Sequence, residues 1–396
     1  MAKHSTKHSI SAHVKRERLV PPATWLRLVG AWLVVGLFAV FGAGWLGEPL
    51  NPAVATGIFV VLFSTILAAS FGVVREAEHL AQQLGEPYGT LILTLSIVLI
   101  EVVLIASVLL GPGEFPTIGR DSIFAVMMII MNLVMGICLI AGATRHGDQE
   151  FNAQGASAYL SMIALLTGIA LVLPNYTTST GEFSITQAVG ISVLTALLYG
   201  TFLWMQMRSH HRFFVQPQQG AMTIPVPKKR HEIKDATFST SNSRDTRSIA
   251  IRSCILLALI LPIVLLAHHL AIVMDYGIAA AGAPAAVGGV LIAIIVFTPE
   301  SITAVRAAMN NEMQRTINLC LGAFVSTVGL TIPALLVIGL ITGKQVIMGL
   351  SNAEITLFVV TMALSMLTFN GQRTSPIQGF MHITVFAVFG LILFYP

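Results

Sequence analysis

Two glutamates stand where glutamate is costly. Glu101 lies alone among the charged residues of GTLILTLSIVLIEVVLIASVLL (Gly89–Leu110), and Glu300 lies in GGVLIAIIVFTPESITAVRAAM (Gly288–Met309). Gly89 precedes Glu101 by twelve residues, and Gly288 precedes Glu300 by twelve. Both segments are long enough to cross a bilayer as helices. A carboxylate at mid-membrane costs several kcal/mol, so it faces a cavity, an ion or a partner. The other sixteen of the 18 acidic residues fall in loops or near helix ends. No Lys or Arg lies at matching depth, so neither glutamate has a ready ion-pair partner. The pair therefore reads as one site for a cation and for protons.

The surrounding residues suit that chemistry. In Thr298-Pro299-Glu300, Pro299 supplies no N–H and clashes four residues back. It is expected to kink the helix and free the Ile295 carbonyl. Broken helices with freed carbonyls coordinate cations in transporters. Thr298, and Thr94 and Ser96 in the first half, could add hydroxyl oxygens or simply bond within their own helices. Asn132 and Ser326 or Thr327 are the next polar groups at useful depth. Asn132 is twelve residues after Arg120 and Thr327 twelve after Arg315, which suggests equivalent places. Carboxylates, carbonyls and hydroxyls suit hard cations such as Ca²⁺ and Na⁺; zinc would call for His or Cys. A desolvated carboxyl group gains proton affinity, so such a site can hold metal or protons in turn. No cofactor is expected. The ligands are the transported Ca²⁺, or Na⁺ and K⁺, and H⁺.

Positioning two carboxylates at the bilayer centre requires a membrane protein. Hydrophobic residues make up 55% of the 396 and charged residues 10%, with a mean hydropathy of +0.82, far from soluble averages. Continuous apolar runs, unlike the period-two pattern of barrel strands, predict eleven helices. The first six are Trp25–Leu46, Ala53–Val74, Gly89–Leu110, Ser122–Ala143, Ala156–Leu173 and Ile185–Met207. The remaining five are Ile249–Met274, Ala283–Met309, Ile317–Ile341, Ile355–Phe369 and Ile377–Phe394. The first is too long for a signal-peptide core and no A-x-A closes it.

Of the 22 Lys and Arg, all but Arg120 and Lys344 fall on one side when the N-terminus is placed in the cytoplasm. The positive-inside rule then puts the C-terminus outside, and lipid rather than nucleic acid explains the basic charge. The glutamate-bearing segments become antiparallel, each carboxylate about 18 Å along its helix in a core roughly 30 Å thick. The expected fold is all-α: a cytoplasmic tail (1–24), an extra helix (25–48) and five-helix repeats over 49–207 and 249–396. The repeats are inverted, a plan transporters use around a midplane site. Between them, 208–248 reads as a flexible basic cytoplasmic linker, whose Lys228–His231 cluster is also a candidate for anionic lipid.

Other chemistry-bearing residues have plainer readings. Cys138, Cys254 and Cys320 show no CxxC spacing and read as apolar packing; so do His268, His269 and His382. Arg75–His79 and Glu86 read as a charged amphipathic turn before the third helix, with ion guidance by Glu86 as the alternative. No HExxH, no GxSxG and no intramembrane aspartate supports an intramembrane enzyme. A passive channel differs from an exchanger in its response to an imposed proton gradient.

Two stretches carry a resemblance: REAEHLAQQLGEPYGTLILTLSIVLIEV (Arg75–Val102) and VFTPESITAVRAAMNNEMQRTINLCLGAFVSTVGLTIPALLV (Val296–Val337). They resemble the two signature regions of ChaA-type bacterial antiporters of the calcium–cation antiporter superfamily, and the likeness extends from about Trp25 to the C-terminus. It implies a protein of the bacterial cytoplasmic membrane exchanging a cytoplasmic cation, Ca²⁺ or Na⁺ and K⁺, for external protons. It also implies that Glu101 and Glu300 are the paired cation-binding glutamates, with Asn132 and Ser326 lining the site. The basic linker departs from the acidic stretch many calcium exchangers carry there.

Overall fold

The computed structural model describes residues 21–47, 50–85, 88–111, 113, 115–208, 210–217, 246–371 and 373–395. Glu86, most of the tail and most of the linker lie outside the described residues. Every apolar run becomes a helix. These are α1 (Pro22–Trp45), α2 (Pro52–Leu84), α3 (Tyr88–Leu109), α4 (Ile118–His146), α5 (Ala153–Thr177) and α6 (Ile185–Met207). They continue with α7 (Thr246–Ala281), α8 (Ala286–Met309), α9 (Met313–Thr342), α10 (Asn352–Thr368) and α11 (Pro376–Phe394). Among the described residues ten are long and apolar enough to cross a membrane, and α10 is a shorter apolar helix. The fold is all-α, with no strands among the described residues.

Local chemistry sets the helix ends. Pro52 opens α2 behind Asn51, whose side chain accepts from Ala53 N–H. Ser184–Gln187 and Ser351–Glu354 form reciprocal caps for α6 and α10, each satisfying two otherwise orphan N–H groups. Gly147 and Gly343, at φ of 70° and 68°, end α4 and α9 in conformations few other residues adopt.

α2 extends well past its apolar run. Arg75–His79, expected as a turn, are inside this helix. Glu76 is fully buried there: it accepts from Arg252 of α7 at 2.9 Å and from Thr24 of α1 at 3.2 Å. Without α1 and α7 around it, that stretch looks like any exposed amphipathic turn.

α2 and α7, the first helices of the two repeats, pack along each other, and α4 is almost wholly enclosed while α1 and α11 face outward. Three helices contain wide π turns: Met128–Val134 in α4, Gly168–Val172 in α5 and Thr327–Thr331 in α9. Such turns, uncommon in general, gather at functional sites. The π turn of α9 packs against α3, and that of α4 packs against α8. Each glutamate helix thus meets the widened helix of the opposite repeat. Gly289 permits the α8–α4 approach, since a Cβ there would sit 2.6 Å from Ser122 N.

Loop contacts tie each membrane face together. On the linker face, His146 bonds the Met309 carbonyl at 2.8 Å, Asn152 N–H donates to Gln314 at 2.7 Å and Asn318 donates to the Phe214 carbonyl at 2.7 Å. On the opposite face Arg120 donates to the Gly349 carbonyl at 2.8 Å and pairs with Asp121.

Candidate functional site

Glu101 is fully buried on α3. One oxygen, Oε2, accepts hydrogen bonds from Thr327 Oγ1 at 3.0 Å and Thr331 Oγ1 at 2.9 Å. Both hydroxyls come from the π turn of α9, from positions four apart on one face of the helix. The other oxygen, Oε1, has no partner.

Glu300 is 8% exposed on α8, and its Oε2 has no partner. It lies within electrostatic range of Glu101 and of Glu78 on α2. α3 and α8 pack against each other, so the two intramembrane carboxylates share one region of the interior. A buried carboxylate oxygen without a donor is expensive. Two of them in one region make a site whose chemistry suits positive charge.

A cavity of about 270 Å³ leads to Glu300. Thr94 of α3, Tyr199 and Gln206 of α6, and Arg315, Asn318 and Ser326 of α9 line it. Gln206, His211 and Arg315 place its mouth at the linker face. Glu78 also sits within electrostatic range of Arg315.

The structure sorts the sequence candidates. Thr327 contacts Glu101 directly. Thr94 lines the cavity and is hydrogen-bonded to Tyr199; seven residues before Glu101, it lies on the same helical face. Ser326 also lines the cavity, with its hydroxyl on the Ala323 carbonyl at 2.6 Å. Ser96 instead bonds the Ile92 carbonyl at 2.7 Å within its own helix. Thr298 does the same with the Ile294 carbonyl and faces a separate apolar groove between α4 and α8. Two residues from Glu300 is about 200° around a helix, so that separation was readable from spacing.

α8 runs unbroken through Pro299. Pro299 therefore does not end the helix; it removes the hydrogen bond that would go to the carbonyl of the buried Ile295. Asn132 does not touch either glutamate. It donates to Thr361 Oγ1 at 3.0 Å, and its carbonyl meets His382 Nδ1 at 3.1 Å. Thr331 escaped sequence reading, although its four-residue spacing from Thr327 was the available signal. Tyr199, Gln206 and Asn318 gave no signal, since only the cavity joins them to Glu300.

Among the described residues no group of three or more His, Cys, Asp and Glu could hold a resident metal.

Comparison with known proteins gives a consistent picture. The family model described as sodium/calcium exchanger protein matches residues 54–208 and 252–395. A putative ionic transporter, y4hA of Sinorhizobium fredii, is 33% identical over 365 residues, 91% of this chain and 95% of that protein. The sodium-potassium/proton antiporter ChaA of Escherichia coli is 32% identical over 348 residues, 88% of this chain and 92% of that one. Native YfkE, a protein described as a Ca²⁺/H⁺ antiporter, shares the fold with a TM-score of 0.70 at 16% identity, covering 93% of this chain and 100% of that one.

Proposed function

The chain belongs to the sodium/calcium exchanger family, and from that premise we propose that it exports Ca²⁺ in exchange for H⁺ through Glu101 and Glu300. The family makes it a multi-pass membrane exchanger of cations and not an enzyme. The assignment of ion and residues rests on one observation: two buried carboxylates on packed helices, each with an unpartnered oxygen, one of them, Glu300, at the end of a cavity.

Charge balance explains why such a pair exchanges ions. Two ionised carboxylates are neutralised by one Ca²⁺ or by two protons, so both loaded forms cross the low-dielectric interior with the same net charge. The empty, doubly charged form is disfavoured by burial and mutual repulsion. That penalty couples the two fluxes, because the carrier returns only when loaded. With the basic linker cytoplasmic, the cavity mouth faces the cytoplasm of a bacterial cell and the structure is inward-open. Cytoplasmic Ca²⁺ displaces protons from the pair, the repeats rock to open outward, and external protons displace the cation.

A second reading, Na⁺ or K⁺ for H⁺, draws on the printed name of the Escherichia coli relative. One Na⁺ with one retained proton neutralises the pair equally well, and Thr327 and Thr331 supply the neutral oxygens a monovalent ion accepts. Everted membrane vesicles carrying an imposed proton gradient separate the readings. Proton release on adding Ca²⁺ supports the first, and release only with Na⁺ or K⁺ the second. Glu101→Gln and Glu300→Gln should insert normally and lose exchange. Wild-type rates in either variant would make that carboxylate structural, and release with none of the three ions would reject both readings.

A further inference from the structure

His382 is a buried ionisable side chain in the first half of α11 that the exchange scheme leaves unused, and its contacts are directional. Its Nδ1 lies 3.1 Å from the amide oxygen of Asn132, and its Nε2 lies 3.1 Å from Thr368 Oγ1. The oxygen can only accept, so Nδ1 carries the proton and donates. In the neutral ring Nε2 then accepts from Thr368. The Asn132 amide nitrogen donates to Thr361 Oγ1, and Thr361 reaches Met128 Sδ at 3.8 Å. Asn132, Thr361 and His382 are fully buried and Thr368 nearly so. One chain of bonds therefore runs from α10 through α11 to the π turn of α4 and back to α10.

The backbone is shaped to allow it. Gly136 and Gly379 face each other, and a Cβ on either would sit 2.8 Å from the other's carbonyl oxygen. Any other residue there would push α11 away and withdraw His382 from Asn132.

Asn132 occupies a place with a known counterpart in the other repeat. Thr327 sits in the π turn of α9, which packs on α3, and it bonds Glu101. Asn132 sits in the π turn of α4, which packs on α8, the helix of Glu300. Glu300 Oε2 has no such donor, while the Asn132 amide is engaged with Thr361 and His382.

We propose that His382 is a positioning residue for the cation site: by holding the Asn132 amide from behind, it sets whether that amide can serve Glu300 and the bound cation. An amide oxygen has two lone pairs, so it can keep the His382 N–H and still face a cation. The proposal rests on the reading of Glu101 and Glu300 as the exchange site.

The test uses purified full-length protein in proteoliposomes, measuring the half-saturating Ca²⁺ and, in a second arm, Na⁺. His382→Ala should raise that concentration about threefold to tenfold, the factor one lost hydrogen bond is worth, with little change in maximal rate. His382→Gln, which can still donate to Asn132, should restore near-wild-type affinity. In an Asn132→Ala background, His382→Ala should add nothing, since its effect passes through the amide. Unchanged affinity in His382→Ala, or additive losses in the double variant, would overturn the proposal. If Glu101→Gln and Glu300→Gln still exchange normally, the underlying site reading has failed instead. If they are inactive while His382→Ala binds normally, only the role of His382 is wrong.

Discussion

Lowering the pH by one unit should weaken Ca²⁺ binding by up to about a hundredfold. On the proposed function, Ca²⁺ binding needs both carboxylates ionised: Glu101 and Glu300 share one region and each presents an unpartnered oxygen. Protonation removes a ligand charge, so protons and cation compete and falling pH favours protons. Each proton displaced per bound cation contributes a tenfold change per pH unit, about 1.4 kcal/mol. Two displaced protons give about 2.7 kcal/mol, and the two sites titrate as a coupled pair. Equilibrium ⁴⁵Ca²⁺ binding to the purified protein across several pH values measures this slope directly. Glu101→Gln and Glu300→Gln should each bind more weakly and with about half the slope, because one titrating group remains. A wild-type affinity independent of pH, or a slope unchanged in both variants, would refute competition at this pair.

Three further outcomes follow from the packing. Thr327→Val and Thr331→Val each remove a donor from Glu101 while keeping shape; each should raise the half-saturating Ca²⁺ roughly fivefold in flux assays, as one hydrogen bond predicts. Gly289→Val should lower thermal stability in detergent by about 1–3 kcal/mol, because its Cβ would meet the backbone of Asp121 and Ser122 at 2.7 Å and 2.6 Å, whereas Gly57→Ala, with nothing within 4 Å, should be tolerated. Arg252→Ala leaves the fully buried Glu76 without its cation and should cost about 3–5 kcal/mol. Adding Glu76→Gln should recover much of that loss in the same unfolding measurement.

The sequence alone determined the helices and the depth of the chemistry. Eleven apolar runs became eleven helices in order, because a chain in lipid must satisfy its backbone within each segment, and the length this requires is visible residue by residue. The isolation of Glu101 and Glu300 within such runs made them conspicuous for the same reason. Helical spacing also carried part of the site: it would have turned Thr298 away and kept Thr94 on the glutamate's face. What only the tertiary structure decided is which residues of one repeat meet those of the other. Thr327 and Thr331 reach Glu101 because α9 packs against α3, a contact between the repeats that no local pattern announced. Asn132, equivalent in sequence to Thr327, is turned toward His382 because Gly136 and Gly379 bring α11 against α4. Glu76 looked like surface charge until α1 and α7 closed over it. Burial of backbone in lipid is a local demand that sequence records; the partner of a buried polar group is a long-range contact, fixed only when helices from both repeats pack together.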